Sequence, residues 1–412
     1  MNVTRLAPSG PDAPMADVLA ALARPAPEAG GPFSDLRRAF CDDVSKAILR
    51  RPGVRGQPEL VALAFFLRRS AVTRLGEDFA ALERATRLRA PLGLAFHVAP
   101  TNVDTVFAYS LLLALLAGNR NVVRLSRNAG PEALLLVDLI GEVLGRPEYE
   151  PLRAETAIVS YGHEVEPTAA ASLAADVRVI WGGDKTVATI RAVPLRPGAR
   201  EVTFPDRFSF AAVDAAGYAR ASADERRGAA RGLFNDAYPF DQRGCSSPRM
   251  VVFVGPASVA RATADALFAD LAEEIAERRY ELDTSAVLAK ETFAYGAVVD
   301  RPVETLARMG NELTVLRLAG LDGFDRTHPG AGLFFAAGVN DLGALAAFVT
   351  SKDQTLSCFG FAPGDLERFA GALGGRGLDR IVPFGEALAF SRYWDGHDML
   401  ADLTRTIDVR SG

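Results

Sequence analysis

Between Ser34 and Arg89 apolar residues recur every three or four positions, at Leu36, Phe40, Val44 and Ile48 and again at Leu60, Leu63, Phe66 and Leu67. That spacing lines one face of a helix, so the stretch is predicted to form several helices laid over a core. At Leu92 the pattern changes to short continuous apolar runs. Leu92 to Val98 is a predicted buried strand, Pro100-Thr-Asn-Val-Asp104 a turn, and the next run a helix ending near Gly118 and Asn119. Thr101 or Asn102 is the expected N-cap of that helix, and Asp104 suits its first turn. The unit then repeats, with strands at Asn121 to Ser126, Thr156 to Ser160 and Val177 to Trp181. Helices open at Pro131 and run over Pro167 to Ala175 and Lys185 to Val193. Such alternation predicts an α/β fold with a doubly wound parallel sheet, whose ligands bind beyond the carboxyl ends of the strands. Those ends are the turns at 99–104, 124–130, 160–164 and 181–185. Strands at Phe208 to Val213 and Met250 to Val254, with helices around them, continue the mixed pattern and imply a second lobe. Residues 1–35, with Pro8, Pro11, Pro14, Pro25, Pro27 and Pro32 among Ala and Gly, are expected as a flexible arm.

A chain of 412 residues has room for two or three lobes. Its net charge is only −5 and its basic residues, nearly all arginine with four lysines, form no block, which excludes nucleic acid as the expected partner. The longest apolar stretch, Val106 to Ala117, is too short for a membrane span and reads as a buried helix. With no signal-peptide pattern at the start, a cytoplasmic protein is expected. Cys41, Cys245 and Cys358 are too few and too dispersed for a disulfide framework, and no Cys-x-x-Cys pair points to a metal.

The cysteines differ in setting. Cys245 stands in Phe240-Asp-Gln-Arg-Gly-Cys-Ser-Ser-Pro-Arg249, a glycine-flanked turn before a strand, where Arg243 or Arg249 could favour the thiolate. A buried small apolar residue is the competing reading of any lone cysteine. Asn102 at a helix start suits either an oxyanion donor or a cap. Arg124-Leu-Ser-Arg127 ends a predicted strand, where Arg124, Ser126 and Arg127 could grip a phosphate or form surface ion pairs. Gly182-Gly-Asp-Lys185 is either an anion-binding helix start or a plain turn. No Gly-x-Gly-x-x-Gly occurs, so an ordinary dinucleotide fingerprint is absent.

Five segments in order resemble the aldehyde dehydrogenase superfamily, most closely its acyl-CoA reductase branch, the LuxC-like fatty acyl reductases. They are Pro91-Leu-Gly-Leu-Ala-Phe-His-Val-Ala-Pro-Thr-Asn102, Ala117-Gly-Asn-Arg-Asn-Val-Val-Arg-Leu-Ser126, Val179-Ile-Trp-Gly-Gly-Asp184, Phe240-Asp-Gln-Arg-Gly-Cys-Ser-Ser-Pro248 and Arg392-Tyr-Trp-Asp-Gly396. The resemblance implies a doubly wound cofactor domain plus a second α/β catalytic domain. It casts Cys245 as nucleophile, Asn102 as oxyanion-hole amide and Arg124 as the residue at the adenosine ribose. Gly183, Asp184 and Val187 fall at the helix that faces the pyrophosphate. NAD-using members place a glutamate three residues after the basic position, where this chain has Arg127. Arginine would pair with a 2′-phosphate that a carboxylate would repel, so NADPH (NADP) is the expected cofactor. The implied organisation is an arm over 1–35, a helical lead-in and NADP-binding domain over 36–214, a catalytic domain over 215–360, and a segment over 361–412 that returns to the cofactor domain.

Two departures shape the expected activity. The superfamily's Glu-Leu-Gly-Gly-Lys segment, source of the hydrolytic base, is replaced by Arg200-Glu-Val-Thr-Phe-Pro-Asp206, in which Glu201 aligns without the glycines. The Glu-x-Phe segment at the nicotinamide ribose has no counterpart near Gly330 to Phe335. An acyl-CoA or carrier-bound acyl thioester reduced to an aldehyde is therefore the expected reaction, with a homo-oligomer or a complex with an acyl-transferring partner left open. The alternatives are an aldehyde dehydrogenase working oxidatively, CoA-acylating or hydrolytic, and a non-catalytic acyl-binding subunit.

Overall fold

In the computed structural model, which describes residues 1–24, 28–83, 86–100 and 103–410, Met1–Pro205 with Phe390–Gly412 make one unit and Asp206–Ala389 a second. The first unit opens on β1 (Asn2–Ala7), β2 (Gly10–Pro14) and α1 (Met15–Leu22). Prolines suggested a flexible arm here, yet β1 and β2 pair as an antiparallel hairpin and Val3, Ala7, Met15 and Leu22 are buried. The hairpin lies at a sheet edge, where a proline costs no ladder hydrogen bond, so composition alone misled.

The helical spacing after Ser34 becomes α2 (Asp35–Arg50), α3 (Pro58–Leu67) and α4 (Arg69–Ala80), followed by β3 (Arg87–Pro91). The alternating core follows as β4 (Leu94–Val98), α5 (Val106–Leu116), β5 (Arg120–Leu125), α6 (Pro131–Leu144), α7 (Glu150–Ala154) and β6 (Thr156–Ser160). It ends with α8 (Val165–Ala174), β7 (Val177–Trp181), α9 (Asp184–Arg191) and β8 (Arg200–Phe204). The strand order is β2-β1-β6-β5-β4-β7-β8, parallel from β6 to β8. From β4 the chain winds to β5 and β6 on one side and returns to β7 and β8 on the other, which makes β4/β7 the switch point where ligands bind in such sheets.

Helix α5 is buried on every face, as a helix apolar all round must be. Its Ser110 completes a buried chain. Trp181 Nε1 donates to Ser110 Oγ at 3.2 Å, Ser110 Oγ lies 2.8 Å from His97 Nδ1, and His97 Nε2 lies 3.1 Å from Asn121 Oδ1. Because Asn121 Nδ2 donates elsewhere, its oxygen accepts from His97 Nε2–H, which leaves Nδ1 to accept from Ser110. Burial lowers the His97 pKa to about 4, partly opposed by the Asn121 bond, so the ring is neutral at pH 7.

The second unit runs β9 (Phe208–Asp214), α10 (Ala215–Arg220), α11 (Ala223–Ala237), β10 (Pro248–Val254), α12 (Ala257–Arg278) and α13 (Thr284–Asp300). It continues with β11 (Val303–Met309), β12 (Leu313–Leu318), β13 (Leu333–Val339), α14 (Leu342–Phe348), β14 (Asp353–Phe359), α15 (Pro363–Ala372) and β15 (Arg380–Pro383). Its sheet, β11-β12-β13-β10-β9-β14-β15, is parallel except for β11. Alternate residues of β9 and β10 feed two cores, Ala211, Val213, Val251 and Phe253 on the α11 and α12 face, Phe210, Ala212, Met250 and Val252 on the α14 and α15 face. Since β9 belongs to this sheet, the unit begins at Asp206, earlier than the expected break after 214, and it keeps α15 and β15.

Only the residues from Phe390 return to the first unit, as β16 (Tyr393–Trp394), β17 (His397–Asp398), α16 (Met399–Asp402) and β18 (Thr404–Asp408). β18 pairs with β3, Asn119 Nδ2 donates to the Leu403 carbonyl at 2.9 Å, and the Tyr109 hydroxyl donates to the Ser391 carbonyl at 2.7 Å. No helix among the described residues is long and apolar enough to cross a membrane.

Candidate active site

In the first unit the candidate cofactor residues gather at the carboxyl ends of β5, β6 and β7. Arg124 ends β5, donates to the Gly162 carbonyl at 2.5 Å and stacks over Tyr161 with its guanidinium carbon 5.3 Å from the ring centroid. Burial lowers the Arg124 pKa, opposed by Tyr161 and Glu164. Ser126 Oγ accepts from the Asn128 N–H at 3.2 Å and so shapes the turn. Arg127, with 60% of its side chain exposed, pairs with Glu164 at 2.6 Å. Glu164 was missed by sequence reasoning, although it lies in the 160–164 turn. Only the adjacency of β5 and β6 brings a residue 37 positions away beside Arg127. Its carboxylate is held below the ordinary range by its own backbone N–H first and then by Arg127 and Arg124.

At the end of β7, Gly183 is the N-cap of α9, Val187 is buried one turn on, and Asp184 is exposed in the first turn beside Lys185. A Cβ built on Gly183 meets no atom within 4 Å, so nothing in the protein demands glycine there. The open space before a helix N-terminus, at the switch point of a parallel sheet, fits a pyrophosphate approaching the backbone closely. Asn102 lies outside the described residues. The N-cap of α5 is Thr105, three residues later than the expected position, and Asp104 serves another helix by accepting from Ala133 N–H of α6 at 3.3 Å. Glu201 sits on β8 with its carboxylate between Arg178 and Arg191, the Arg178 Nε donating at 2.9 Å and the Arg191 Nε lying at 2.9 Å. Both oxygens of that carboxylate are thus engaged by guanidiniums.

Cys245 belongs to the second unit, in the turn that enters β10. The preceding residues Phe240, Asp241 and Gln242 have φ of 57°, 48° and 62°, a left-handed run without glycine. Such residues cost about 1–3 kcal/mol each and persist only where their surroundings over-determine them. Here the Asp241 carbonyl accepts from Ala331 N–H at 2.8 Å, the Asp241 carboxylate accepts from the Tyr280 hydroxyl, and Gln242 Nε2 donates to the Pro248 carbonyl at 2.9 Å. Gly330, at φ 79°, lets the opposing loop approach, since a Cβ there would stand 2.6 Å from the Asp241 oxygen. His328 Nε2 donates to the Leu333 carbonyl at 2.9 Å while its Nδ1 accepts from Gly330 N–H at 3.0 Å, which closes that loop on itself.

The three thiols separate accordingly. Cys41 and Cys358 are buried and Cys245 is partly exposed. Burial pushes the Cys358 pKa up to about 11 and raises that of Cys41 well beyond its ordinary value. Arg249 reaches the carbonyls of Arg243 and Gly244 at 3.5 Å, and burial lowers its own pKa against the opposing influence of Asp206 and Cys245. Arg249 thus puts a guanidinium at the Cys245 turn.

The chain matches the family described as acyl-CoA reductase (LuxC) over residues 77–406. No curated protein matches it by sequence. Among solved structures it is similar to aldehyde dehydrogenase 21 from Physcomitrella patens in complex with the reaction product succinate, with 14% identity over 99% of this chain and 94% of that one and a TM-score of 0.69. It is also similar to 1-pyrroline-5-carboxylate dehydrogenase from Thermus thermophilus, with 14% identity over 99% and 89% of the chains and a TM-score of 0.65. Against proline utilization A from Bdellovibrio bacteriovorus it covers 90% of itself but 43% of that longer chain, at 15% identity and a TM-score of 0.62. At these identities the likeness shows the aldehyde dehydrogenase fold.

Proposed function

The chain belongs to the acyl-CoA reductase (LuxC) family, and on that premise we propose that it reduces an acyl thioester to an aldehyde with NADPH through an acyl-enzyme on Cys245. The observation that carries this reading is the Cys245 turn, the only thiol setting of the three that combines exposure with a neighbouring guanidinium. The Cys245 thiolate attacks the thioester carbonyl and expels the CoA or carrier thiolate, which takes up a proton. The developing oxyanion is stabilised by the Cys245 backbone N–H. Gly183 and the first turn of α9 would hold the pyrophosphate, and Arg124 and Arg127 the adenosine ribose and its 2′-phosphate. NADPH, when bound, would supply a hydride to the acyl carbon, and breaking the C–S bond would then free the aldehyde and return the Cys245 thiolate.

Glu201, the residue aligned with the superfamily's hydrolytic base, has its carboxylate engaged by Arg178 and Arg191, which supports reduction over hydrolysis. Intact-mass analysis tests the scheme. An acyl-CoA alone is expected to leave one acyl adduct that persists, NADPH is expected to discharge it as aldehyde, and Cys245→Ala is expected to form none while Cys41→Ala and Cys358→Ala still do. Rapid release of carboxylic acid, abolished by Glu201→Gln, would move the protein to hydrolytic aldehyde oxidation. A second reading, NADH as reductant, is favoured by Glu164, which places a carboxylate beside Arg127 where ribose hydroxyls could be accepted.

A further inference from the structure

Ser209, on the second residue of β9, is fully buried, and its hydroxyl donates to the Cys245 carbonyl at 2.6 Å. The same oxygen accepts from the Thr355 N–H of β14 at 3.2 Å. A hydroxyl carries one hydrogen, and of its two acceptors, the Cys245 carbonyl at 2.6 Å and Gln354 Oε1 at 3.4 Å, the Cys245 carbonyl is much the nearer and takes it. Gln354 Oε1 lies 3.4 Å from Ser209 Oγ and 3.3 Å from Ser246 Oγ, so the following residue is tied to the same strand. The ladder between β9 and β10 shifts register between Pro248 and Val251, so regular strand pairing does not carry the turn.

We infer that Ser209 is a positioning residue for the nucleophile, an inference that rests on the reading of Cys245 as the acylated residue. The argument is one of peptide planes. Upstream of Cys245, the Gly244 carbonyl accepts from Ser247 N–H at 3.1 Å, which holds that peptide within its own turn. Because a trans peptide points its N–H opposite its carbonyl, the Cys245 N–H, the proposed oxyanion donor, is turned away from that bond. Downstream, the plane shared by Cys245 and Ser246 is anchored from β9, through Ser209. The two peptides that set the direction of the Cys245 side chain are thus held by different parts of the fold. Removing the hydroxyl leaves the Cys245 carbonyl and the Thr355 N–H buried without this partner and frees the downstream plane to rotate.

Acyl transfer needs thiolate, carbonyl and oxyanion donor aligned, whereas alkylation by iodoacetamide needs little beyond an accessible thiolate. Ser209→Ala is therefore expected to slow single-turnover acylation from a palmitoyl-CoA or octanoyl-CoA probe by roughly 10- to 100-fold, the scale of a misplacement near 1 Å. The rate and pH midpoint of Cys245 alkylation by iodoacetamide are expected to stay as in the parent. Parental acylation in Ser209→Ala overturns the inference. So does a parallel loss of acylation and alkylation, since that marks general collapse of the turn. If Ser209→Ala does not fold, Ser209→Cys, close in size but a weak donor, carries the test: slowed acylation with unaltered alkylation at Cys245 supports the inference, and parental acylation overturns it. Cys245→Ala measured alongside keeps the two readings apart, because acylation persisting there removes the nucleophile assignment itself.

Discussion

Arg127 and Glu164 put opposite charges at the place where an adenosine ribose is proposed to lie, so cofactor choice follows from the balance between them. Arg127 is the more exposed of the pair, 60% against 28%, and has the greater reach toward a 2′-phosphate. NADPH is expected to outperform NADH in kcat/KM, Glu164→Gln to widen the preference and Arg127→Glu to narrow or reverse it. A charge-assisted bond of about 1.5–3 kcal/mol corresponds to roughly 10- to 100-fold in that ratio. Equal use of both cofactors by the parent would show that neither charge discriminates. At this scale the sequence offers candidates where a residue carries a local mark. Cys245 is flanked by glycine and serine, and Arg127 stands three residues after Arg124. It was silent on Glu164 and Ser209, whose partners lie 37 and 36 positions away and meet only through strand adjacency.

Elements were legible in proportion to how far their own pattern decides them. The buried parallel strands Thr156–Ser160 and Val177–Trp181 were anticipated to the residue, because short apolar runs between turn signals have few alternative structures. Helix α13 went unnoticed. Leu288, Tyr295 and Val299 lie exposed while Lys290 is buried, so its apolar and polar positions do not sort into an inward and an outward face. The start of α5 was placed too early because Asn102 and Thr101 both look like caps, and the cap position passed to Thr105. Helix α9 offers a test of its proposed task. Since a Cβ at Gly183 meets nothing within 4 Å, Gly183→Val should cost the fold no more than an N-cap change, about 1 kcal/mol. It should still raise the KM for NADPH on the order of tenfold or more by keeping the pyrophosphate off the backbone. Unchanged KM would remove α9 from the cofactor site.

For the whole molecule, the two units can be followed separately, because Trp181 and Trp394 both lie in the first. Tryptophan fluorescence during urea unfolding therefore reports that unit. Buried His97, with its pKa lowered to about 4 from 6.5, binds its proton more readily in the unfolded chain. The stability it confers is present above pH 6.5 and is lost as pH falls toward 4, by up to about 3 kcal/mol. His97→Gln should flatten that slope, and an unaltered slope would trace the acid sensitivity to other groups. The return of the chain after Phe390 has a further consequence, for the order of events during synthesis. The second unit is one uninterrupted stretch and can close as soon as Ala389 has emerged from the ribosome. The first cannot, because the carbonyls that satisfy Asn119 and Tyr109 and the partner strand of β3 all follow Ala389 in the chain. Of the two units, the one begun first is thus the one completed second.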